Sequence, residues 1–300
     1  MMQNPFRAIG SHFRYIPLLS VLAMSRARRF DKRSRALGAA VGFVLRWFPP
    51  ARWRFEREVL RVFPGMPRND RIQMGQAMGR AMGQTLFEIY HNVEFQARQD
   101  KFHPTGPGLA ALEAARDAGK GALIVSGHFG QWEAVRAVLQ ARDMETGAIY
   151  RRQPNPHYQR RLRAGIEAGG MPILETGRAG TKSLVRHLRG GGFMAILLDE
   201  KHAEGTELPF LGHPALTSLA AAELALKYDL PMVPAYGLRR ADGENFDVIF
   251  EDPIPHSDAV TMTQAFNDSL SARIRAHPAQ WYWLLRRWNA PRVPVLSRRK

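Results

Sequence analysis

The chain has 300 residues, 45% of them hydrophobic: enough for one large α/β domain or two small ones with a buried core, and too apolar for a disordered chain. It contains no cysteine, which excludes disulfide frameworks, thiolate metal sites and cysteine nucleophiles. A formal net charge of +16 draws in acidic partners (nucleic acid, anionic lipid, phosphorylated substrates or an acidic carrier protein) without choosing among them.

Near the N-terminus, Ile16 to Met24 and Ala36 to Phe48 are apolar stretches separated by the Arg- and Lys-rich segment Arg26 to Arg35. Neither reaches the ~18 residues of a membrane-spanning helix, and no small-residue cleavage site follows an apolar core. The pattern predicts helices lying on a bilayer, with basic side chains among the headgroups and Trp47 and Phe48 at the interface. A buried core helix with a solvated basic loop is the competing reading, and a basic arm for nucleic acid a third. Residues 1–50 are accordingly expected to form a membrane-associating region and 51–300 the domain that carries the chemistry. From Arg52 to about Gln99 the pattern is helical, interrupted at Pro64-Gly65. Phe55, Val59 and Val62-Phe63 recur at helical spacing, and Ile72, Met78, Met82, Leu86 and Ile89 fall on roughly one face, a stripe that reads as core.

After residue 106 helix and strand alternate. Strands are predicted at Gly121 to Ser126, Gly147 to Tyr150, Pro172 to Leu174, Phe193 to Leu198, Met232 to Tyr236 and Phe246 to Phe250. Helices are predicted at Leu109 to Ala118, Gln131 to Gln140, Pro156 to Ala168, Thr181 to Arg189, Ser218 to Tyr228 and Thr261 to Ala276. Such alternation implies an α/β protein with a sheet flanked by helices, whose ligand site lies beyond the strand C-termini.

One of those termini is Ser126-Gly-His128-Phe-Gly-Gln-Trp-Glu133. A hydroxyl attacks a thioester only when a base removes its proton, and a positioned imidazole does this if a carboxylate fixes its tautomer. His128 at a strand end, with Glu133 folding back from the next helix, meets that requirement, and Gly127 and Gly130 let the backbone approach a substrate. Gly-x-Ser-x-Gly is absent, which argues against a serine esterase. Metal ligation competes, but no His-Glu-x-x-His cluster accompanies the pair. Spacing alone also fits an ordinary turn histidine.

The surrounding blocks decide among these readings. His128-x4-Glu133 resembles the His-x4-Asp/Glu motif of glycerolipid-type acyltransferases. Its setting is similar to that of the lipid A biosynthesis late acyltransferases (lauroyl and myristoyl transferases). The resemblance continues through Tyr150-Arg-Arg-Gln-Pro-Asn-Pro156, Arg178 before Leu184 and Leu188, Leu197-Leu-Asp-Glu200, Pro209-Phe-Leu-Gly-His-Pro-Ala215, Pro231-Met-Val-Pro234 and Pro278-Ala-Gln-Trp-Tyr-Trp283. The sequence departs from the family pattern at Gly127, Gln131, Arg152 and Glu200. The resemblance implies a glycerol-3-phosphate acyltransferase-like mixed sheet flanked by helices, on the cytoplasmic face of the inner membrane. It implies transfer of a fatty acyl chain from acyl carrier protein to a hydroxyl of a lipid A precursor, with His128 as general base oriented by Glu133. No cofactor, metal or nucleic acid is implied, and another membrane lipid, a lysophospholipid or glycolipid, is the alternative acceptor.

Three further residues are candidate substrate contacts. Arg151, after a strand, suits a phosphate or a thioester carbonyl. Arg178, after Gly177, either contacts substrate or pairs with Glu175. Asp199, at the end of a strand, either orients one of these arginines or caps the next turn. Core packing is the simplest account of Trp281 to Trp283.

Overall fold

The computed structural model describes residues 29–288. The central strands are β2 (Ala122–Ser126), β3 (Thr146–Tyr150), β4 (Ile173–Glu175), β5 (Phe193–Leu197) and β8 (Met232–Arg239). β1 (Phe102–Thr105) and β9 (Phe246–Phe250) complete a seven-stranded sheet in the order β1-β9-β8-β2-β5-β3-β4. All neighbours are parallel except β8 and β9, so β1 and β9 run opposite to the other five. Every residue of β2 is buried, as expected of a parallel strand covered on both faces. Its odd-numbered side chains, Leu123 and Val125, enter one core with Met194, Leu270 and Trp281, and Ile124 enters the other with Val135, Val138 and Phe246.

Helices preceding the sheet are α1 (Phe30–Trp47), α2 (Pro49–Val62), α3 (Arg68–Tyr90) and α4 (Asn92–Gln96). Those interleaved with it are α5 (Gly108–Asp117), α6 (Glu133–Gln140), α7 (Pro156–Glu167), α8 (Arg178–Arg189), α9 (Ala220–Tyr228) and α10 (Ala259–Ala276). α7 starts where Asn155 caps the His157 amide (2.9 Å) and Pro156 supplies a pre-set first turn. α1 lies directly on α3: a Cβ on Gly79 would sit 2.8 Å from the Gly42 Cα, so the two helices approach this closely only with glycine at the contact. A buried polar knot ties these helices to the sheet. Glu88 of α3 accepts from Arg239 (2.6 and 2.8 Å), Gln131 (2.5 Å) and Ser34 (2.9 Å).

The predicted alternation of strands and helices is present, and the sheet is mixed and dominated by parallel pairs. Two strand features were not predicted. β1 contains Pro104, tolerated because β1 is an edge strand. β6 (Thr206–Phe210) and β7 (His213–Thr217) form a separate hairpin. Its two-residue turn has positive φ at Leu211 (53°) and Gly212 (87°), and a leucine in the left-handed region conceals the usual Asn-Gly signal. At the N-terminal side, no described helix is long and apolar enough to cross a membrane. Ala36 to Phe48 lies mostly within α1, which buries Leu37 and Leu45 and exposes Phe43, Val44 and Trp47. The stretch Ile16 to Met24 lies outside the described residues.

Candidate active site

Because β2, β5, β3 and β4 are parallel neighbours, their C-terminal ends share one edge of the sheet. His128 follows β2, Asp199 follows β5, Arg151 follows β3 and Arg178 follows β4. The sheet order, not the chain order, sets who meets whom: β2 pairs with β5, and this brings Asp199 against His128 across 71 residues of sequence.

Asp199 is fully buried and receives three hydrogen bonds. The His128 backbone N–H donates to Oδ2 (2.7 Å), His128 Nδ1 meets Oδ1 (2.8 Å), and the Trp281 indole N–H donates to Oδ2 (2.8 Å). With Nδ1 occupied, Nε2 is left for a reacting group, and the imidazole retains 21% of its side-chain exposure. Burial alone pulls the His128 pKa down, but the Asp199 charge and hydrogen bond outweigh it and hold the imidazole above its ordinary value. For Asp199, burial pushes upward and is overcome by the His128 charge and the hydrogen bonds from His128 and Trp281, leaving the carboxyl below its ordinary range.

The loop carrying His128 is fixed from several sides. Tyr282 N–H donates to the His128 carbonyl (3.0 Å), Gly130 N–H to Gln280 O (2.8 Å) and Gln131 N–H to Gly237 O (2.7 Å), while Thr85 Oγ1 donates to Gly130 O (3.0 Å). The Trp132 ring stands edge-on to the imidazole, 5.3 Å between centroids. The two loop glycines serve the protein's own contacts rather than the expected approach to substrate. A Cβ on Gly127 would meet Leu270 at 2.6 Å and Asp199 at 3.0 Å, and one on Gly130 would meet the Gly237 carbonyl at 2.1 Å.

Contrary to the expectation from sequence, the Glu133 carboxylate does not accept from the His128 imidazole, whose Nδ1 meets Asp199 instead. Glu133 Oε2 accepts from Arg136 (2.8 Å) and Asn92 (3.0 Å), and the carboxylate is buried. Arg136 stands one helical turn on and is itself buried, donating to Thr146 O, Ile166 O and Gly170 O. A buried guanidinium needs a counter-charge, and Nδ1 of His128 is already held by Asp199, so Glu133 turns the other way. Glu133 and Arg136 still border the same cavity as His128.

That cavity is about 250 Å³ and runs between the sheet face and α6 and α7. The sheet side is Ile124, Ala148 and Ala195, and Ala148 and Ala195 are register partners, so two methyl groups stand where longer side chains would fill the space. The helix side includes Val135, Leu162 and Ile166. His128, Trp132, Arg151 and Glu200 line it as well. Arg151 is 69% exposed and pairs with Glu200 (2.7 Å), not with Asp199. Arg178 does not reach the cavity: it is the exposed first residue of α8, and Glu175, its expected partner, accepts instead from Tyr150 Oη (2.8 Å). Trp281, read from the sequence as core, is buried but spends its only polar atom on Asp199.

A histidine–carboxylate pair at the strand C-termini opens on an apolar slot in an α/β sheet, an arrangement that can accept a proton beside an apolar chain. Residues 12–290 match the bacterial lipid A biosynthesis acyltransferase family, and the chain belongs to that family. It is also similar to a phosphatidylinositol mannoside acyltransferase of Mycobacterium tuberculosis, 29% identical over 189 residues, 61% of this chain and 59% of the relative. A Mycolicibacterium smegmatis protein of the same name is 25% identical over 185 residues, 60% of each chain. The chain thus matches about three-fifths of the length of these relatives.

Proposed function

We propose that the chain transfers a fatty acyl group from a thioester donor, acyl carrier protein, to a hydroxyl of a lipid A precursor, using His128 as general base and Asp199 as the carboxylate that orients it. The His128–Asp199 pair at the mouth of an apolar slot is the observation that carries this reading. Asp199 holds Nδ1 protonated, so neutral Nε2 accepts the proton of the attacking hydroxyl. The imidazolium that forms is stabilised by the buried carboxylate and returns the proton to the departing thiolate. The acyl chain lies over Ala148 and Ala195, where each buried methylene contributes ~0.8 kcal/mol, about fourfold in binding. Arg151 at the rim is the cation nearest to hand for a phosphate of either substrate.

Phosphatidylinositol mannoside, named in the relatives, motivates a second acceptor: a glycolipid hydroxyl needs the same base. Purified protein in detergent, given each acceptor with hexadecanoyl-acyl carrier protein, separates the two. Acylation of the lipid A precursor alone is the expected product; acylation of the mannoside alone transfers the proposal to the second acceptor.

The protein is proposed to work at the cytoplasmic face of the inner membrane, docking through the α1–α2 corner. Phe43, Trp47, Phe48 and Trp53 are each more than half exposed there, and the Arg46 guanidinium lies 5.5 Å over the Trp47 ring. Exposed aromatics beside arginine are the composition of an interfacial anchor.

A further inference from the structure

From the slot itself we infer that Ser126 is a further catalytic residue, donating its hydroxyl hydrogen to the thioester carbonyl oxygen as negative charge develops there. The inference rests on the acyl-transfer reading above. Ser126 ends β2, two residues before His128, and is only 5% exposed. Its Oγ has no hydrogen-bond partner among the described residues. Its neighbours on β2 show which way it faces: Ile124 and Ser126 line the cavity, whereas Leu123 and Val125 pack into the opposite core.

A desolvated hydroxyl without a partner is unfavourable, and here it is aimed into a cavity that also holds the base. Alternate side chains on a strand share a face and stand roughly 6–7 Å apart. Ile124 and Ser126 share that face of β2, and His128, in the loop that follows, borders the same cavity, so the slot presents an apolar wall, a hydroxyl and a base. An acyl chain lying along the wall with its carbonyl carbon at His128 passes its carbonyl beside Ser126. Other polar groups of the cavity are already engaged: Arg136 with Glu133, Arg151 with Glu200, and Tyr150 Oη with Glu175.

The acceptor oxygen forms a bond to the thioester carbon while its proton passes to His128 Nε2. The carbonyl π pair moves onto the oxygen, where the Ser126 O–H hydrogen bond stabilises it. On collapse the C–S bond breaks, and the leaving thiolate takes the proton from His128. Ser126 keeps its own proton throughout and forms no covalent bond.

The test is thiol release from hexadecanoyl-acyl carrier protein and hexadecanoyl-CoA, followed with a thiol-trapping dye, with lipid A precursor or phosphatidylinositol mannoside as acceptor. The chain has no cysteine of its own to react with the dye. Ser126→Ala is expected to lower kcat on the order of 100-fold, as loss of one oxyanion donor does, with KM for the donor changed less than threefold. Its melting temperature should not fall, because no protein hydrogen bond is lost. Ser126→Thr, which keeps the hydroxyl, is expected to recover at least tenfold of the lost kcat, and this arm decides the matter should Ser126→Ala fail to fold. Ser126→Ala within threefold of wild type, or Ser126→Thr no better than Ser126→Ala, overturns the assignment while an inactive His128→Ala leaves the acyl-transfer reading standing. No His128-dependent thiol release from any donor–acceptor pair overturns both.

Discussion

Replacing Asp199 by Asn tests the orienting carboxylate through a change of one atom. Two fixed donors, the His128 amide and the Trp281 indole, point at Oδ2, and a single ring nitrogen meets Oδ1. An asparagine turns its carbonyl oxygen to the two fixed donors, because the opposite flip sets two N–H groups against its NH2, each lost bond costing ~1–3 kcal/mol. Its NH2 then faces Nδ1, which must accept. The imidazole is thereby held with its proton on Nε2, the atom that has to be basic. A histidine locked in that tautomer loses on the order of 10⁴-fold in kcat in the serine-protease precedent, and a fall of 10³- to 10⁴-fold is expected here. The assay is kcat for acyl transfer from pH 5 to 9, with melting temperature measured in parallel. In wild type the base must be neutral, and its pKa is raised above 6.5, so activity is expected to fall on the acid side at a pH above 6.5. Residual activity of Asp199→Asn should lose that limb or show it at lower pH, since the charge that raised the pKa has gone. A kcat within tenfold of wild type, with the limb unmoved, would exclude Asp199 as the group that sets the His128 tautomer.

Glu133→Gln should act on the fold, not on the proton. It leaves the Arg136 guanidinium buried without a counter-charge, a loss of ~3–5 kcal/mol. That corresponds to a drop on the order of 10 °C in melting temperature, and an unchanged melting temperature with a selective loss of kcat would return Glu133 to the catalytic role. Ala195→Leu fills the slot at the register partner of Ala148 and is expected to lower turnover of long acyl donors more than short ones, by about fourfold per excluded methylene. Equal loss across chain lengths would place the acyl chain elsewhere. The double variant Trp47→Asp, Trp53→Asp should reduce flotation with anionic phospholipid vesicles at least tenfold without altering turnover of detergent-solubilised substrate, and unchanged flotation would remove the α1–α2 corner from the docking surface.

How legible this site is in the sequence depends on which contacts are local. The strand ends carrying His128, Asp199 and Arg151 can be read because short buried runs stop at glycine or at a charge. That these ends share one edge follows from the alternation of strand and helix. The partner of His128 cannot be read the same way. Asp199 reaches it only because β2 pairs with β5 while β3 and β4 lie beyond, an order that pattern does not fix. Glu133, five residues away, is the nearer carboxylate in sequence and the wrong one in space. One local signal did point elsewhere: Arg136 stands three residues after Glu133, the spacing of a pair on one helix face. Trp281 is 82 residues from Asp199, and an indole among aromatic neighbours gives no sign of which acceptor its N–H will find. The hairpin hides for a different reason, its turn residue Leu211 being one that seldom takes positive φ.

His128 is proposed as the base of an acyl transfer to a lipid hydroxyl. Purified wild type and His128→Ala, incubated in detergent with acyl carrier protein thioester and lipid A precursor, allow a direct comparison of ester product by mass spectrometry. A product one acyl group heavier is expected with wild type, and at least ~100-fold less of it with the variant. Equal product from both proteins, with the variant folded, would contradict that role.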